Sequence, residues 1–148
     1  AMDFFSSQPE PAARTIAAKL QPLADVGLSY IKLGQSSSTL SGGESQRIKL
    51  AYFLSMTDST AKKIMFIFDE PTTGLHFHDV EKLVKASDSL LDRGHTVVVV
   101  EHNLDVIRCA DWLIELGPGA GDRGGSLVFA GTPEELARKK DTATSAYL

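Results

Sequence analysis

A single cysteine, Cys109, excludes an internal disulfide and leaves no cysteine cluster for zinc. Basic residues are also few: 15 Lys+Arg against 19 Asp+Glu give a net charge of −4, which argues against a broad basic surface while allowing a local patch. No apolar run approaches the roughly 20 residues of a membrane span, and nothing reads as a signal peptide. A soluble cytoplasmic protein is therefore expected. No internal repeat is visible. No stretch fits G-x-x-x-x-G-K-[ST], the loop that cradles nucleotide phosphates through backbone amides and a lysine. What remains is ordinary for one domain, or a piece of a larger one: 43% hydrophobic and 23% charged residues in 148.

Local patterns order the chain. Residues 1–10 read as a frayed entry, with the tail of a helix as the alternative. Ile16, Leu20 and Leu23 fall at i, i+4 and i+7 and predict a helix stopped by Gly27. Residues 29–39 read as a loop with at most a short strand. A helix opens at Ser41, with Ile48, Ala51, Tyr52 and Leu54 as its apolar side. "IMFIF", residues 64–68, predicts a strand buried on both faces, as in a parallel sheet. Val80, Leu83, Val84, Leu90 and Leu91 mark a helix closing near Gly94, and "TVVVV", residues 96–100, a second buried strand. Strand, crossover helix and strand make a βαβ unit. A short helix over residues 104–109 precedes "WLIEL", and the glycine-rich residues 117–125 return the chain to "SLVFA" as an antiparallel hairpin. Thr132, Pro133 and Glu135 supply an N-cap, a first-turn proline and a capping-box glutamate for a last helix.

Three stretches carry chemistry. Ser41-Gly42-Gly43-Glu44 fits the S-x-x-E capping box. Capping accounts for Ser41 and Glu44 but not for two glycines at the first helical positions. There the backbone N–H groups lack partners, and the missing β-carbons open the positive helix end to an anion such as phosphate. A capped helix with an exposed glycine pair is the plainer alternative. Asp69 and Glu70 leave a parallel strand at its C-terminal end, where open α/β sheets bind ligands. Adjacent carboxylates there suit Mg²⁺ held through its water shell and a water oriented toward phosphate; the alternative is two acids ending a strand in solvent. His102 follows the second strand and is expected at the same sheet edge. It would hydrogen-bond a terminal phosphate or the attacking water, or else be a satisfied structural histidine.

Weaker readings attach to the rest. Cys109 is expected in the core. Arg47 and Lys49 are read as a solvated helix face, with DNA contact as the lesser alternative. Thr72 and Thr73 are expected to cap the turn after Glu70, and His76 and His78 are not expected to bind metal.

Together the stretches resemble an ABC-type ATPase. Residues 40–46, "LSGGESQ", resemble the signature motif, residues 64–70 resemble Walker B with its catalytic glutamate, and His102 resembles the switch histidine. "EPTTGLHFHD", residues 70–79, stands where transporter ATPases carry a "SALD"-type loop and is similar to the UvrA family, the A subunits of bacterial excinuclease. Residues 19–51 and 94–137 follow that family's pattern too, so the resemblance covers about residues 14–138.

The resemblance implies an α/β, P-loop NTPase-like partial domain with a parallel core, a C-terminal antiparallel hairpin and flanking helices. It implies a signature region over 1–62 and a Walker B and switch-histidine half over 63–148. Both would belong to the C-terminal part of a second nucleotide-binding domain, with Walker A and a zinc insertion upstream. ATP and Mg²⁺ are the implied cofactors; no zinc site is expected in this stretch. Asp69 would position Mg²⁺, Glu70 would polarise water, and His102 would sense the γ-phosphate. Ser41, Gly42, Gly43, Glu44 and Gln46 would complete the ATP site of a partner half. The implied partners are damaged double-stranded DNA, a UvrB-type subunit, the first nucleotide-binding half of the same chain and a second copy in a homodimer, with no membrane. The implied process is nucleotide excision repair. The stretch alone is expected to be inactive, with its exposed strand edge covered by the terminal hairpin or by a second copy. A transporter or resistance-type ATPase, and a non-catalytic assembly module, are the rival readings.

Overall fold

The computed structural model describes residues 1–56, 62–119, 121, 124–139 and 141–148. The chain divides into two compact units, Ala1–Glu101 and His102–Leu148. This differs from the expected division at residues 62 and 63, because one apolar core joins residues from both sides of that point.

In the first unit the helical alternative for the entry holds, as a short helix α1 (Met2–Ser6), and α2 (Pro11–Asp25) starts on a proline. Gly27, at φ 76°, ends that helix as its sequence position suggests. A β-carbon on Gly27 would also lie 2.9 Å from Asp79 Cβ, so the position excludes a side chain twice over. Residues 29–39 contain no strand, only a 3₁₀ turn at Ser37–Thr39. Then come α3 (Gly42–Ser55), β1 (Met65–Asp69), α4 (Phe77–Asp92) and β2 (Thr96–Val100). The strands pair in parallel, with Met65 opposite Thr96 and Asp69 opposite Val100. This is the βαβ unit expected from two apolar runs flanking an amphipathic helix.

Val26, Leu28, Leu50, Ala51, Phe66, Phe68, Leu83, Ala86 and Leu90 form the core of this unit. Each fully buried leucine contributes roughly 1.5–3 kcal/mol. Leu50 rather than Tyr52 supplies the inward side of α3, since Tyr52 is exposed. Arg93, just past α4, donates to the carbonyls of Phe53, Leu54 and Met56 and so satisfies the C-terminal end of α3.

The strands are not buried on both faces. Phe66 and Phe68 point into the core, and Val97 and Val99 pack against it. Met65 and Ile67 are 62% and 68% exposed, and Val98 and Val100 are open on the same face. The reason is the number of layers: the helices of this unit cover one side of the sheet, whereas an uninterrupted apolar strand fits a sheet covered on both. Among the described residues this sheet has two strands, and the strands of the hairpin pair with each other.

In the second unit α5 (Leu104–Arg108) is capped by Asn103, and β3 (Leu113–Gly117) and β4 (Ser126–Gly131) pair antiparallel with a register shift after Glu115. The hairpin reading of residues 117–125 agrees with this pairing, although residues 120, 122 and 123 lie outside the described ones. α6 (Pro133–Arg138) opens with the expected capping box: Thr132 Oγ1 accepts from the Glu135 amide, and Glu135 Oε2 accepts from the Thr132 amide. Arg108 donates to the Tyr147 carbonyl, and Glu115 Oε1 accepts from both the amide and the hydroxyl of Thr144. Cys109 is exposed rather than in a core, because it is the residue that ends the five-residue α5. Among the described residues no helix is long and apolar enough to cross a membrane.

Candidate active site

The start of α3 is built as the capping box requires. Ser41 Oγ accepts from the Glu44 amide at 3.2 Å, and Glu44 Oε2 accepts from the Ser41 amide at 2.7 Å. Tyr30 donates its hydroxyl to the other Glu44 oxygen at 2.6 Å. That bond, and the one from the Ser41 backbone, hold the Glu44 carboxyl below its usual range. Partial burial and the adjacent Glu44 push the Tyr30 hydroxyl up. With one oxygen on Tyr30 and one on Ser41, Glu44 shapes the helix mouth.

The two glycines of this mouth have different surroundings. Gly42 faces open space, with nothing within 4 Å of where a β-carbon would stand. Gly43 is buried, and a β-carbon there would lie 3.2 Å from the Thr73 carbonyl oxygen and 3.2 Å from Arg47 Nη1. The missing side chain at Gly43 therefore admits the protein's own backbone, residues 71–73; at Gly42 it leaves room for a visitor. The common reading of the pair as an open anion mouth fits Gly42 and needs correction at Gly43.

Gln46, one turn along, ties the helix to the strand end. Its Nε2 donates to the Asp69 carbonyl at 2.8 Å, and its Oε1 accepts from the Asp69 amide at 3.0 Å. The grip is on the backbone, and Asp69 is exposed at the strand terminus. Glu70 follows at φ 46°, the one non-glycine residue with positive φ among the described residues. Such a backbone costs on the order of 1–3 kcal/mol and persists only where its surroundings enforce it. Its amide donates to the Val100 carbonyl at 2.9 Å, and its carbonyl accepts from the Thr73 amide at 3.1 Å.

The turn beyond Glu70 is held from both sides. Arg47, 1% exposed, donates through Nη1 to the Pro71 carbonyl at 2.5 Å. Arg47 is thus a buried strut, and its reading as a solvated or DNA-facing side chain is overturned; Lys49 is exposed. On the other side Glu101 Oε1 accepts from the Thr72 amide at 2.8 Å and from its hydroxyl at 2.6 Å. Thr72 is thus anchored to Glu101 by its amide and hydroxyl, while its carbonyl accepts from the Leu75 amide at 2.9 Å. Thr73 closes the turn after Glu70, its amide donating to the Glu70 carbonyl at 3.1 Å and its hydroxyl to Glu70 Oε2 at 3.5 Å. The sequence reading missed Tyr30, the inward role of Arg47, and Glu101. Only Arg47 left a signal, since Gly43 and Arg47 are spaced i, i+4 and share a helix face.

Helix α3 therefore brings Ser41, Gly42, Gly43, Glu44 and Gln46 to the end of β1, where Asp69 and Glu70 leave the sheet. His102 is exposed and is the first residue of the second unit, two positions beyond the Val100 that pairs with Asp69. Among the described residues no three His, Cys, Asp or Glu side chains gather as a metal cluster. The two groups suit different parts of a nucleotide complex: the exposed Asp69 carboxylate suits Mg²⁺ held largely by water and phosphate, and the uncrowded helix N-terminus at Gly42 suits phosphate.

Comparison with known proteins decides the family. No family model matches the chain. UvrABC system protein A of Aquifex aeolicus is 55% identical over 148 residues, which is 100% of this chain and 15% of that protein. The corresponding protein of Xanthomonas axonopodis is 58% identical over 134 residues, 90% of this chain and 13% of the relative. The chain is a UvrA-type segment. The crystal structure of UvrA2 from Deinococcus radiodurans superposes with a TM-score of 0.82 at 41% identity, covering 92% of this chain and 16% of that one. The fold is accordingly part of an ABC-type, P-loop NTPase-like α/β domain, as the signature, Walker B and strand pattern implied. The UvrA-type segment spans about 15% of the length of the curated relatives.

Proposed function

We propose that this segment is the signature and Walker B portion of the second nucleotide-binding domain of a UvrA-type ATPase. That protein would recognise damaged DNA in nucleotide excision repair and couple ATP binding and hydrolysis to DNA engagement and hand-off to a UvrB-type subunit. The first nucleotide-binding half of the same chain and a second copy would be its other partners. The high identity to UvrABC system protein A supports the process. The observation that carries the chemistry is the two-way bond between Gln46 and the Asp69 backbone, which makes the signature helix and the Walker B strand end one rigid element.

Asp69 would hold Mg²⁺ through water, Glu70 would orient the attacking water, and His102 would hydrogen-bond the terminal phosphate. Ser41 and the open Gly42 amide would meet the triphosphate of the partner half, with Gly43, Glu44 and Gln46 holding that mouth in shape. Bound Mg²⁺–ATP supplies the scissile phosphoanhydride and neutralises its developing charge. The 148 residues lack the G-x-x-x-x-G-K-[ST] cradle, so they would not turn over ATP alone.

The test is ATP turnover and damaged-duplex binding by a full-length UvrA-type protein carrying this segment. Glu70→Gln should lower turnover about a hundredfold or more while nucleotide still binds. Unchanged turnover would overturn the reading.

A further inference from the structure

We propose that Glu101 and Thr72 form a positioning pair that holds Glu70 in its working conformation, an inference that rests on the hydrolytic reading above. Three ties converge on this stretch. The Glu70 amide donates to the Val100 carbonyl at 2.9 Å. The next residue of that strand exit, Glu101, accepts both Thr72 donors on one oxygen, at 2.8 and 2.6 Å. Between these anchors stands Pro71, fully buried, whose ring fixes its own φ.

Residues 70 and 72 are thus pinned to consecutive residues, 100 and 101, of the neighbouring strand exit. A rigid proline fills the gap, and the backbone rotation that the closure demands falls on Glu70. Its φ of 46° accompanies this closure and the bond from the Thr73 amide to the Glu70 carbonyl at 3.1 Å. A glutamate released from such a frame returns to the ordinary φ regions, and its carboxylate moves with it. The bonds from Thr72 end on a carboxylate, which makes them stronger than neutral ones. Glu101 and Thr72 would then act through Glu70 without touching nucleotide.

The pair is tested in a full-length UvrA-type protein carrying this segment, by steady-state ATP turnover with thermal melting alongside. Thr72→Val removes the hydroxyl donor and should lower kcat about tenfold, with KM for ATP within about twofold and a modestly lowered melting temperature that leaves the protein folded at the assay temperature. Thr72→Ser keeps both donors and should restore the wild-type rate. Glu101→Ala should lower kcat at least as far, and Thr72→Val decides the question if that variant fails to fold. In a Glu70→Gln background, adding Thr72→Val should leave the residual rate unchanged, because the residue acted on is already disabled.

An unchanged kcat in Thr72→Val overturns the proposal. So does a rise in KM alone, or an equal further loss in the Glu70→Gln background. If Glu70→Gln turns over ATP as fast as wild type, the hydrolytic reading itself fails and takes this one with it.

Discussion

The side-chain amide of Gln46 lies against the backbone of Asp69 like one more residue of a strand, donating to its carbonyl at 2.8 Å and accepting from its amide at 3.0 Å. Residues 23 apart in sequence are thereby locked in register, and only an amide of this length offers a donor and an acceptor side by side. Gln46→Leu should cost about 1–3 kcal/mol, the worth of two neutral hydrogen bonds plus the groups left unpaired. Gln46→Glu should cost more, since a carboxylate oxygen would face the Asp69 carbonyl. Urea denaturation of the three chains checks the order.

The adjacent glycines should respond oppositely to alanine. Gly43→Ala places a β-carbon 3.2 Å from the Thr73 carbonyl oxygen, a backbone atom that cannot swing aside. A loss of about 1–3 kcal/mol is expected. Gly42→Ala meets nothing within 4 Å and should be neutral or stabilising by up to about 1 kcal/mol. Equal melting temperatures for the two variants would contradict this division of roles.

Glu70 should be more stable as glycine. Its φ of 46° is unfavourable for any side chain, so Glu70→Gly should raise stability by about 1 kcal/mol while removing the carboxylate needed for turnover. Thermal melts of the segment and turnover in the full-length protein read the two effects separately.

The Tyr30–Glu44 bond predicts a pH dependence. Glu44 has its folded-state pKa lowered, first by the Tyr30 hydroxyl and then by the Ser41 backbone. A depressed carboxyl adds stability that is present above its unfolded value and disappears as pH falls through the folded value. The loss therefore belongs to the acid side. Tyr30→Phe should move the Glu44 titration upward toward the ordinary range, as followed by NMR of its side-chain carboxyl carbon.

Much of the architecture was legible because its signals are local. Ser41 and Glu44, or Thr132 and Glu135, mark helix starts through bonds three residues apart, and "TVVVV" coincides with β2 because β-branched residues have little else to form. The parallel pairing of β1 and β2 followed from the βαβ pattern; the contact of α3 with the Asp69 backbone did not, because α3 lies outside that unit. What escaped depends on long-range closeness. Composition marks Arg47 as a surface residue, and it is buried where the carbonyls of Pro71 and Thr73 arrive above Gly43 to accept from its Nη1. Glu101 reads as a strand terminus until Thr72, 29 positions away, turns its two donors on it. The apolar residues of "IMFIF" suggested two covered faces because the sequence carries the hydrophobicity for both, while this stretch of chain brings cover for only one.

That half-dressed sheet governs how the purified polypeptide behaves in a tube. Met65, Ile67, Val98 and Val100 form a greasy strip on the ribbon made by β1 and β2. Fluorescent dyes that light up on oily surfaces should bind it, and storage life should depend on dilution more than on temperature. A charged residue at Ile67, which points away from the core, should cure the stickiness and leave the melting point where it was.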